Sequence, residues 1–143
     1  MRLTVFSDYS LRLMMFAASH ADRRVTIEEA AQAFRISRSH LMKVASLLTR
    51  SGFLTSVRGR SGGLSLTRPI DQIRLGDIVR ATEPDFAIVE CFGTTSTCTL
   101  PARCRLKGVL GTALRAFLAE LDSHTLRDLV LRPADFGVEQ AAG

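Results

Sequence analysis

The sequence has none of the features that define membrane-spanning or secreted proteins. No apolar run approaches the roughly 20 residues needed to cross a bilayer. The segment Leu11–Ala18 resembles the core of a signal peptide, but Asp8 and Arg12 interrupt it and no clean cleavage pattern follows. A Ser/His/Asp or paired-carboxylate arrangement of the kind used in catalysis is also missing from the sequence. We therefore expect a cytoplasmic protein, without a membrane partner, that is not an enzyme.

Acidic residues are absent from a long stretch between Ala30 and Ile70. Residues 1–68 carry eleven Lys/Arg and four Asp/Glu, whereas residues 69–143 carry eight and ten, so the net charge of +5 is concentrated in the first half. A solvated basic surface would account for the bases alone. Because acids are missing as well, the pattern favours binding of a polyanion. The bases of the acid-free stretch are Arg35, Arg38, Lys43, Arg50, Arg58, Arg60 and Arg68.

Cysteine is scarce, and all three cysteines lie in the segment CFGTTSTCTLPARC, at Cys91, Cys98 and Cys104. An odd number of thiols in a cytoplasmic protein favours metal or redox chemistry over disulfides. The spacing differs from the paired C-x2-C of zinc sites. Three thiolates are also one fewer than the four that usually hold an iron–sulfur cluster. From the spacing alone, an iron–sulfur cluster, a zinc ion, and redox-active or inert thiols are all open.

The first half of the chain predicts a helix-turn-helix followed by a β-hairpin. After a largely buried first helix, a capping box that begins at Thr26 starts the second helix. Ser37 is a good N-cap for a third helix, which Gly52 ends. The helix-turn-helix therefore spans about residues 26–52, and the β-rich segments on either side of RGRSGG form a wing at 53–68.

The expected DNA contacts lie on the polar face of the third helix and at the tip of the wing. In the helix, for the major groove, they are Arg38, Ser39, His40 and Lys43. At the wing they are Arg58, Arg60, Gly62 and Gly63. The arginines supply positive charge, and glycine lets a backbone approach a phosphate or enter the minor groove.

The second half predicts a loop and a long apolar helix. A wide stripe of apolar residues runs from Leu106 to Leu121. It either packs on its own domain or, as we favour, forms a two-fold interface, because small winged-helix units usually read paired half-sites. The fold class is therefore mainly α with a small β-wing: a winged helix-turn-helix DNA-binding domain plus a long dimerisation helix. The predicted segments are a DNA-binding domain at 1–83, a cluster-binding loop at 84–104, the dimerisation helix and a short C-terminal helix at 105–131, and a loosely ordered tail at 132–143.

Several segments of the sequence match a known family when they are taken together. They are RLTVFSDYSLRLMMFAA, ISRSHLMKVASLLTRSGFLTSVRGRSGGLSLTRP, IRLGDIVRATEP, the loop that ends in PARCRLKGVL, and FLAELDSHTLRDLV. With these segments the chain resembles the winged-helix iron–sulfur transcriptional repressors, a family that includes the nitric-oxide sensor NsrR and the cluster-assembly regulator IscR. The resemblance covers almost the whole chain and is strongest to the NsrR type.

The resemblance implies a homodimer whose long helices cross, with an iron–sulfur cluster in the cysteine loop of each protomer. A [4Fe–4S] cluster is preferred and a [2Fe–2S] cluster is the other possibility. The IscR type uses a histidine three residues after the last cysteine, where this chain has Lys107, which cannot ligate while charged. The NsrR type resembles a scheme with a carboxylate from the first helix of the partner protomer, and Asp8 matches it. The implied metal ligands are Cys91, Cys98, Cys104 and Asp8; in the first turn of a helix, Asp8 also suits the helix dipole.

By this resemblance, the chain is a nitric-oxide-sensing repressor. It would bind operator DNA as a homodimer while its cluster is intact, and release the DNA when the cluster is nitrosylated or lost. The alternative within the family is a sensor of cluster supply or redox state. An alternative of another class is a metal-stapled structural or electron-transfer protein, against which the acid-free basic stretch argues.

Overall fold

The computed structural model of the chain describes residues 1–100 and 103–137. In this part of the chain, two antiparallel strands accompany five α-helices, which agrees with the predicted mainly-α fold with a small wing. The helices are α1 Val5–Ser19, α2 Ile27–Phe34, α3 Arg38–Arg50, α4 Leu75–Thr82 and α5 Arg105–Asp122. The strands are β1 Leu54–Val57 and β2 Gly63–Leu66. Short 3-10 turns lie at Ile70–Gln72, Glu90–Phe92, Leu126–Leu129 and Pro133–Phe136.

The first three helices begin at hydroxyl side chains that satisfy free backbone N–H groups. The Oγ1 atom of Thr4 accepts from the N–H of Ser7 at the start of α1. Thr26 and Glu29 form the predicted capping box at the start of α2. Ser37 caps α3 as predicted. These starts are local in sequence, which is why the sequence pattern locates them well.

The turn between α2 and α3 is tight because one residue adopts a left-handed conformation. Arg35 has φ 53°, and its N–H group returns to carbonyl oxygens of α2. Ile36, which follows it, is buried and anchors the turn on the core. At the other end of α3, Gly52 has φ 82°, a conformation that glycine adopts without a steric penalty. The predicted helix-turn-helix is therefore present.

The wing is a hairpin in which Leu54 pairs with Leu66 and Val57 with Gly63. Val25 adds a third short pairing, since its N–H and carbonyl groups both bond to Leu64. This bridge ties the wing to the chain segment that precedes α2. The orientation of the wing relative to the helix-turn-helix is thus fixed by backbone hydrogen bonds.

The core is built around α1, whose Leu13, Met14 and Phe16 are almost completely buried. Helices α3 and α4 pack on it from two sides. Leu126, from far along the chain, is also fully buried in this core. His20 is 6% exposed and bonds through Nδ1 to the carbonyl of Phe16. The C-terminal part of the chain therefore helps to complete this core.

The end of the described chain forms two short 3-10 turns, at Leu126–Leu129 and Pro133–Phe136. The predicted short C-terminal helix is a single 3-10 turn at Leu126–Leu129. The tail from residue 132, expected to be loosely ordered, forms a 3-10 turn at Pro133–Phe136. The ring of Phe136 is buried against those of Phe16 and Phe34, with ring centroids 5.1 Å and 5.8 Å away. Burial of this aromatic ring is the physical reason for the order; residues 138–143 lie outside the described residues.

Helix α5 contains no fully buried residue along its 18 residues. It is joined to α4 near its C-terminal end, where Arg80 forms two hydrogen bonds with Asp122, at 2.6 and 2.8 Å. Gly76 makes room for this pair, since a Cβ atom there would overlap the carboxylate of Asp122. The rest of α5 projects an apolar surface away from the domain.

Candidate nucleic-acid interface and metal site

The four residues expected in the major groove are all exposed on α3. Arg38, Ser39 and His40 form its first turn, and Lys43 lies one turn later. Leu41, Val44, Ala45 and Leu48 fix the helix from behind, because they are buried in the core. The structure therefore brings the four residues together on one solvent-facing surface of a rigidly held helix, as a reader of a DNA groove requires.

Arg38 is held by a residue of α2. Its Nε atom lies 3.0 Å from Oε2 of Glu28, and both side chains are well exposed. Glu28 was not among the residues singled out from the sequence. An i, i+3 or i, i+4 spacing within one helix could have revealed such a pair, but these residues are ten positions apart on different helices.

At the wing, Arg58 and Arg60 are exposed at the tip of the hairpin. The two glycines expected to let the backbone approach DNA also have roles inside the fold. A Cβ atom at Gly62 would overlap the carbonyl oxygen of Val57, and Gly63 has φ 145° and lies against the backbone of Val25. The conformation of the wing is therefore enough by itself to explain why glycine occupies both positions.

Asp8 lies in the first turn of α1 and pairs with Arg12 of the same helix. Two hydrogen bonds of 2.9 Å join the guanidinium to the carboxylate, and about 45% of the Asp8 side chain is exposed. The guanidinium of Arg12 also lies over the ring of Tyr9, 5.9 Å from its centroid. The Tyr9 ring lies 6.1 Å from the ring of His40 on α3. A continuous series of contacts thus joins Asp8 to the recognition helix.

The three cysteines are free thiols on one loop, and each is accessible. Cys98 is exposed, whereas Cys91 and Cys104 are half-buried. Cys104 is the N-cap residue of α5, as expected from the sequence. A cavity of about 690 Å³ beside Cys91 is also lined by Asp85 and Lys107.

A glutamate beside the first cysteine organises the loop. The carboxylate of Glu90 accepts hydrogen bonds from the backbone N–H and the hydroxyl of Thr97, both at 2.7 Å. The side-chain and backbone hydrogen bonds from Thr97 lower the pKa of Glu90. Since Glu90 precedes Cys91 and Thr97 precedes Cys98, this contact draws two cysteine-bearing segments together. Sequence reasoning missed it because the two residues belong to no periodic element.

A second glutamate joins the loop to α1. Oε1 of Glu83 accepts from the backbone N–H of Thr4 at 2.8 Å and from its hydroxyl at 3.0 Å. Thr82, next to it, donates from its hydroxyl to the buried Oγ of Ser7 at 2.8 Å. The segment from which the cysteine loop departs is therefore fastened to the helix turn that carries Asp8.

The donor chemistry of the loop fits an iron–sulfur cluster, because three thiols without disulfide partners are the ligands that iron–sulfur clusters take. Within residues 1–100 and 103–137, no three His, Cys, Asp or Glu side chains converge closely enough to hold a metal ion. In this structure, neither the three cysteines nor Asp8 is gathered into such a group.

The apolar side of α5 is open to solvent. Leu106 and Val109 are 63% and 64% exposed, and the large ring of Phe117 is 37% exposed. Phe117 also lines an apolar cavity of about 590 Å³ between α5, the N-terminal residues and segment 83–88. Contiguous apolar surface of this kind marks an interaction surface.

Over residues 3–132 the chain matches the sequence profile of Rrf2, described as iron-dependent transcriptional regulator. The chain belongs to the Rrf2 family. The HTH-type transcriptional regulator NsrR of Shouchella clausii is 41% identical over 137 residues, which are 94% of this chain and 92% of that protein. Membership in the Rrf2 family confirms the expectation of a transcriptional regulator that is not an enzyme.

Solved structures of Rrf2-type regulators share this fold. CymR (YrzC), the global cysteine regulator of B. subtilis, has 29% identity and a TM-score of 0.74, covering 90% of this chain and 95% of its own. T. potens IscR has 23% identity and a TM-score of 0.73, covering 100% of this chain and 94% of its own. These likenesses confirm the winged-helix fold class. Among the described helices, none combines the length and apolar character needed to cross a bilayer.

Proposed function

We propose that this Rrf2-family regulator is a nitric-oxide-sensing repressor, which binds operator DNA as a homodimer while an iron–sulfur cluster is intact and releases it when the cluster is nitrosylated or lost. The observation that carries the proposal is the combination of two features in one chain. A complete basic winged helix is fastened to a loop with three free thiols. The 41% identity to an NsrR protein supports nitric oxide as the signal.

The exposed surface of α3 supports recognition of duplex DNA. Arg38, Ser39, His40 and Lys43 would contact base edges and phosphates in the major groove, and Arg58 and Arg60 would contact the backbone beside the wing. In this surface, arginine and lysine contribute most of the affinity by neutralising phosphates. The binding should therefore weaken steeply as the salt concentration rises.

The unpartnered apolar side of α5 supports a homodimer. Two copies of α5 would bury Leu106, Val109 and Phe117 against each other and place two α3 helices for half-sites one helical turn apart. This arrangement also brings the first helix of one protomer near the loop of the other. A dimer is thus required both for two-site DNA reading and for completing the metal site.

The proposed ligands are Cys91, Cys98 and Cys104 of one protomer and Asp8 of its partner. Three thiolates and one carboxylate would hold a [4Fe–4S] cluster, which when bound would supply an iron atom, at the weakly held carboxylate position, that reacts with nitric oxide. Asp8 is suited to the role because it is half-exposed and its present partner, Arg12, is equally exposed. The carboxylate can therefore exchange one partner for the other.

The contacts of α1 supply a physical route from this ligand to DNA. While Asp8 is engaged by the partner's loop, its bonds to Arg12 are released, and Arg12 rests on Tyr9, which adjoins His40. When Asp8 returns to Arg12, the guanidinium and the Tyr9 ring shift, and the first turn of α3 shifts with them. Glu83 ties the same helix turn to the start of the loop. Small displacements of paired recognition helices remove much of the specific affinity.

The experiment is anaerobic purification of the full-length protein, followed by measurement of iron, sulfide, visible absorbance and DNA binding during titration with nitric oxide. We expect a coloured protein whose absorbance and DNA binding are lost in parallel. Retention of full DNA binding after the absorbance has collapsed would contradict the proposal. About two iron atoms per protomer, with a response to oxidants but not to nitric oxide, would favour the sensor of cluster supply or redox state.

A further inference from the structure

The DNA-reading part of the chain contains two carboxylates that have very different surroundings. Between Arg23 and Ile70, Glu28 and Glu29 are the acidic residues. Glu29 serves the fold: its carboxylate bonds to Thr26 in the capping box and to Arg23 at 2.9 Å. Burial opposes its ionisation, but the bonds from Arg23 and Thr26 outweigh burial and lower its pKa. Glu28 makes no capping bond in the described chain, although as a carboxylate in the first turn of α2 it suits the helix dipole.

Glu28 faces the recognition helix instead. Its Oε2 atom lies 3.0 Å from Nε of Arg38, the first residue of α3. The Glu28 and Arg38 side chains are 65% and 63% exposed, so the pair stands on the surface rather than in the core. An exposed pair of this kind adds little to folding stability. Because Arg38 is a proposed DNA contact, a role in DNA binding explains the pair better than a contribution to folding stability does.

The pair is an ionic contact whose closest approach is at Nε, and among the described residues the side chain of Arg38 makes no hydrogen bond, so both terminal nitrogens are unoccupied. A guanidinium binds guanine by donating two parallel hydrogen bonds to O6 and N7. With Glu28 on the Nε side, the Nη1 and Nη2 edge is left free for such a contact. The carboxylate also limits the directions in which the long Arg38 side chain can turn.

We propose that Glu28 is a positioning residue for DNA specificity: it orients Arg38 for a bidentate guanine contact. In a cognate complex, Arg38 is shared between the carboxylate and the guanine, and both sets of interactions are satisfied. In a non-cognate complex, the same carboxylate restrains Arg38 from reaching phosphates and places a negative charge near the DNA backbone. Glu28 therefore favours the cognate complex and disfavours the non-cognate one.

This inference rests on the proposed DNA-reading role of α3, and the experiment separates the two. Duplexes that the anaerobically purified wild-type protein selects from a random pool supply a preferred sequence and its single-base-pair variants. Affinities for these duplexes are then measured for wild type, Glu28→Gln, Arg38→Gln and the double variant. Asp71→Asn is the matched control, because it removes one exposed negative charge that lies outside α2, α3 and the wing.

We expect Glu28→Gln to reduce discrimination between the preferred and altered base by roughly threefold, as is typical of an exposed ion pair. The affected base pair should be the one at which Arg38→Gln also loses discrimination. Glu28→Gln should have no further effect when Arg38 is already replaced, and Asp71→Asn should leave discrimination unchanged. The inference would be overturned if Glu28→Gln left discrimination unchanged or altered it at other base pairs. It would also be overturned if Glu28→Gln had the same effect on discrimination in the Arg38→Gln background as in wild type. A wild-type protein that selects no sequence at all would instead overturn the proposed function. Circular dichroism of each variant verifies that the fold is intact.

Discussion

The two parts of this chain differ in how much of their structure they complete alone. From α1 to α4, every element contributes side chains to one core, and helix starts, turns and wing are closed by internal hydrogen bonds. Between residues 83 and 125, by contrast, no described residue is fully buried, although the segment is rich in apolar side chains and thiols. The part from α1 to α4, called the reader below, is therefore structurally complete within one protomer. In the proposed function, the segment from residue 83 to residue 125 is the sensor part, and a second protomer and a cofactor complete it.

If the proposed function holds, this difference explains how a short chain can act as a switch. A part that is stable by itself can keep its DNA-binding surface in either state, whereas a part that depends on added ligands changes when they are lost. The two parts meet at a few defined contacts: Glu83 with Thr4, and Arg80 with Asp122. In the proposed function, those contacts would carry a change in the sensor part to the DNA-binding part.

The largest expected effect is loss of the dimer after a charge is placed on the apolar side of α5. Phe117→Asp should give a folded monomer by sedimentation velocity, because a buried unpaired carboxylate is costly. Its DNA affinity should fall by about a hundredfold or more, since two linked half-sites become one. Ala119→Asp is the matched control, because Ala119 lies on the same helix outside the apolar stripe. A dimeric Phe117→Asp protein would show that α5 is not the interface.

A core substitution should reveal the self-sufficiency of the reader. In the monomeric Phe117→Asp background, Leu48→Ala should lower the free energy of unfolding by about 2–5 kcal/mol, because Leu48 is 0% exposed. Leu106→Ala, at a residue that is 63% exposed, should change it by less than about 0.5 kcal/mol. Urea denaturation measures both. Equal losses in the two variants would contradict the contrast between the two parts.

A smaller effect is expected from loosening the loop. Thr97→Val removes the hydroxyl that bonds to Glu90, so reconstituted protein should hold less iron or lose it faster. Thr95→Val is the control, at an exposed loop residue that makes no side-chain hydrogen bond in the described part. Because the pKa of Glu90 is lowered, its contribution is present above the ordinary value of 4.5 and is lost only as the pH falls through the lowered value. Equal iron retention in both variants would show that the hydrogen bond between Thr97 and Glu90 does not organise the loop.

The smallest expected effect is a change in the pH dependence of stability, and it concerns His124 in the turn that follows α5. Hydrogen bonds from His124 to Glu120 and to Asp128 raise the pKa of His124. A raised histidine pKa stabilises the fold fully below the unfolded value of 6.5, and the contribution is lost as the pH rises through the folded value. Replacement by Gln should therefore flatten the dependence of the melting temperature on pH near neutrality. A wild-type melting temperature that does not decline over this range would contradict the assignment.

Features encoded by neighbouring residues could be predicted from the sequence. The capping box at Thr26, the N-cap Ser37 and the helix end at Gly52 all depend on local chemistry, and the structure agrees with each. The apolar period of α5 also located that helix, since periodicity needs no knowledge of the partner.

Features that depend on distant residues could not be predicted. Phe136 is buried because α1 and α2 offer it an aromatic pocket, and nothing near it in sequence indicates this. The bonds from Thr97 to Glu90 and from Thr4 to Glu83, like the pair of Glu28 with Arg38, join residues that share no period. For Asp8, resemblance to a family rather than any pattern in the residues indicated a metal-binding role.

The most direct test of the account is a mixed dimer in which one protomer carries Asp8→Ala and the other carries Cys98→Ser. If Asp8 completes the loop of the partner, one site of this dimer has all four ligands, and the other lacks both Asp8 and Cys98. The account predicts half the wild-type iron, held with wild-type stability and reacting with nitric oxide at the wild-type rate. A mixed dimer with no site of wild-type behaviour, alongside a wild-type site in dimers that carry both substitutions on one protomer, would contradict it.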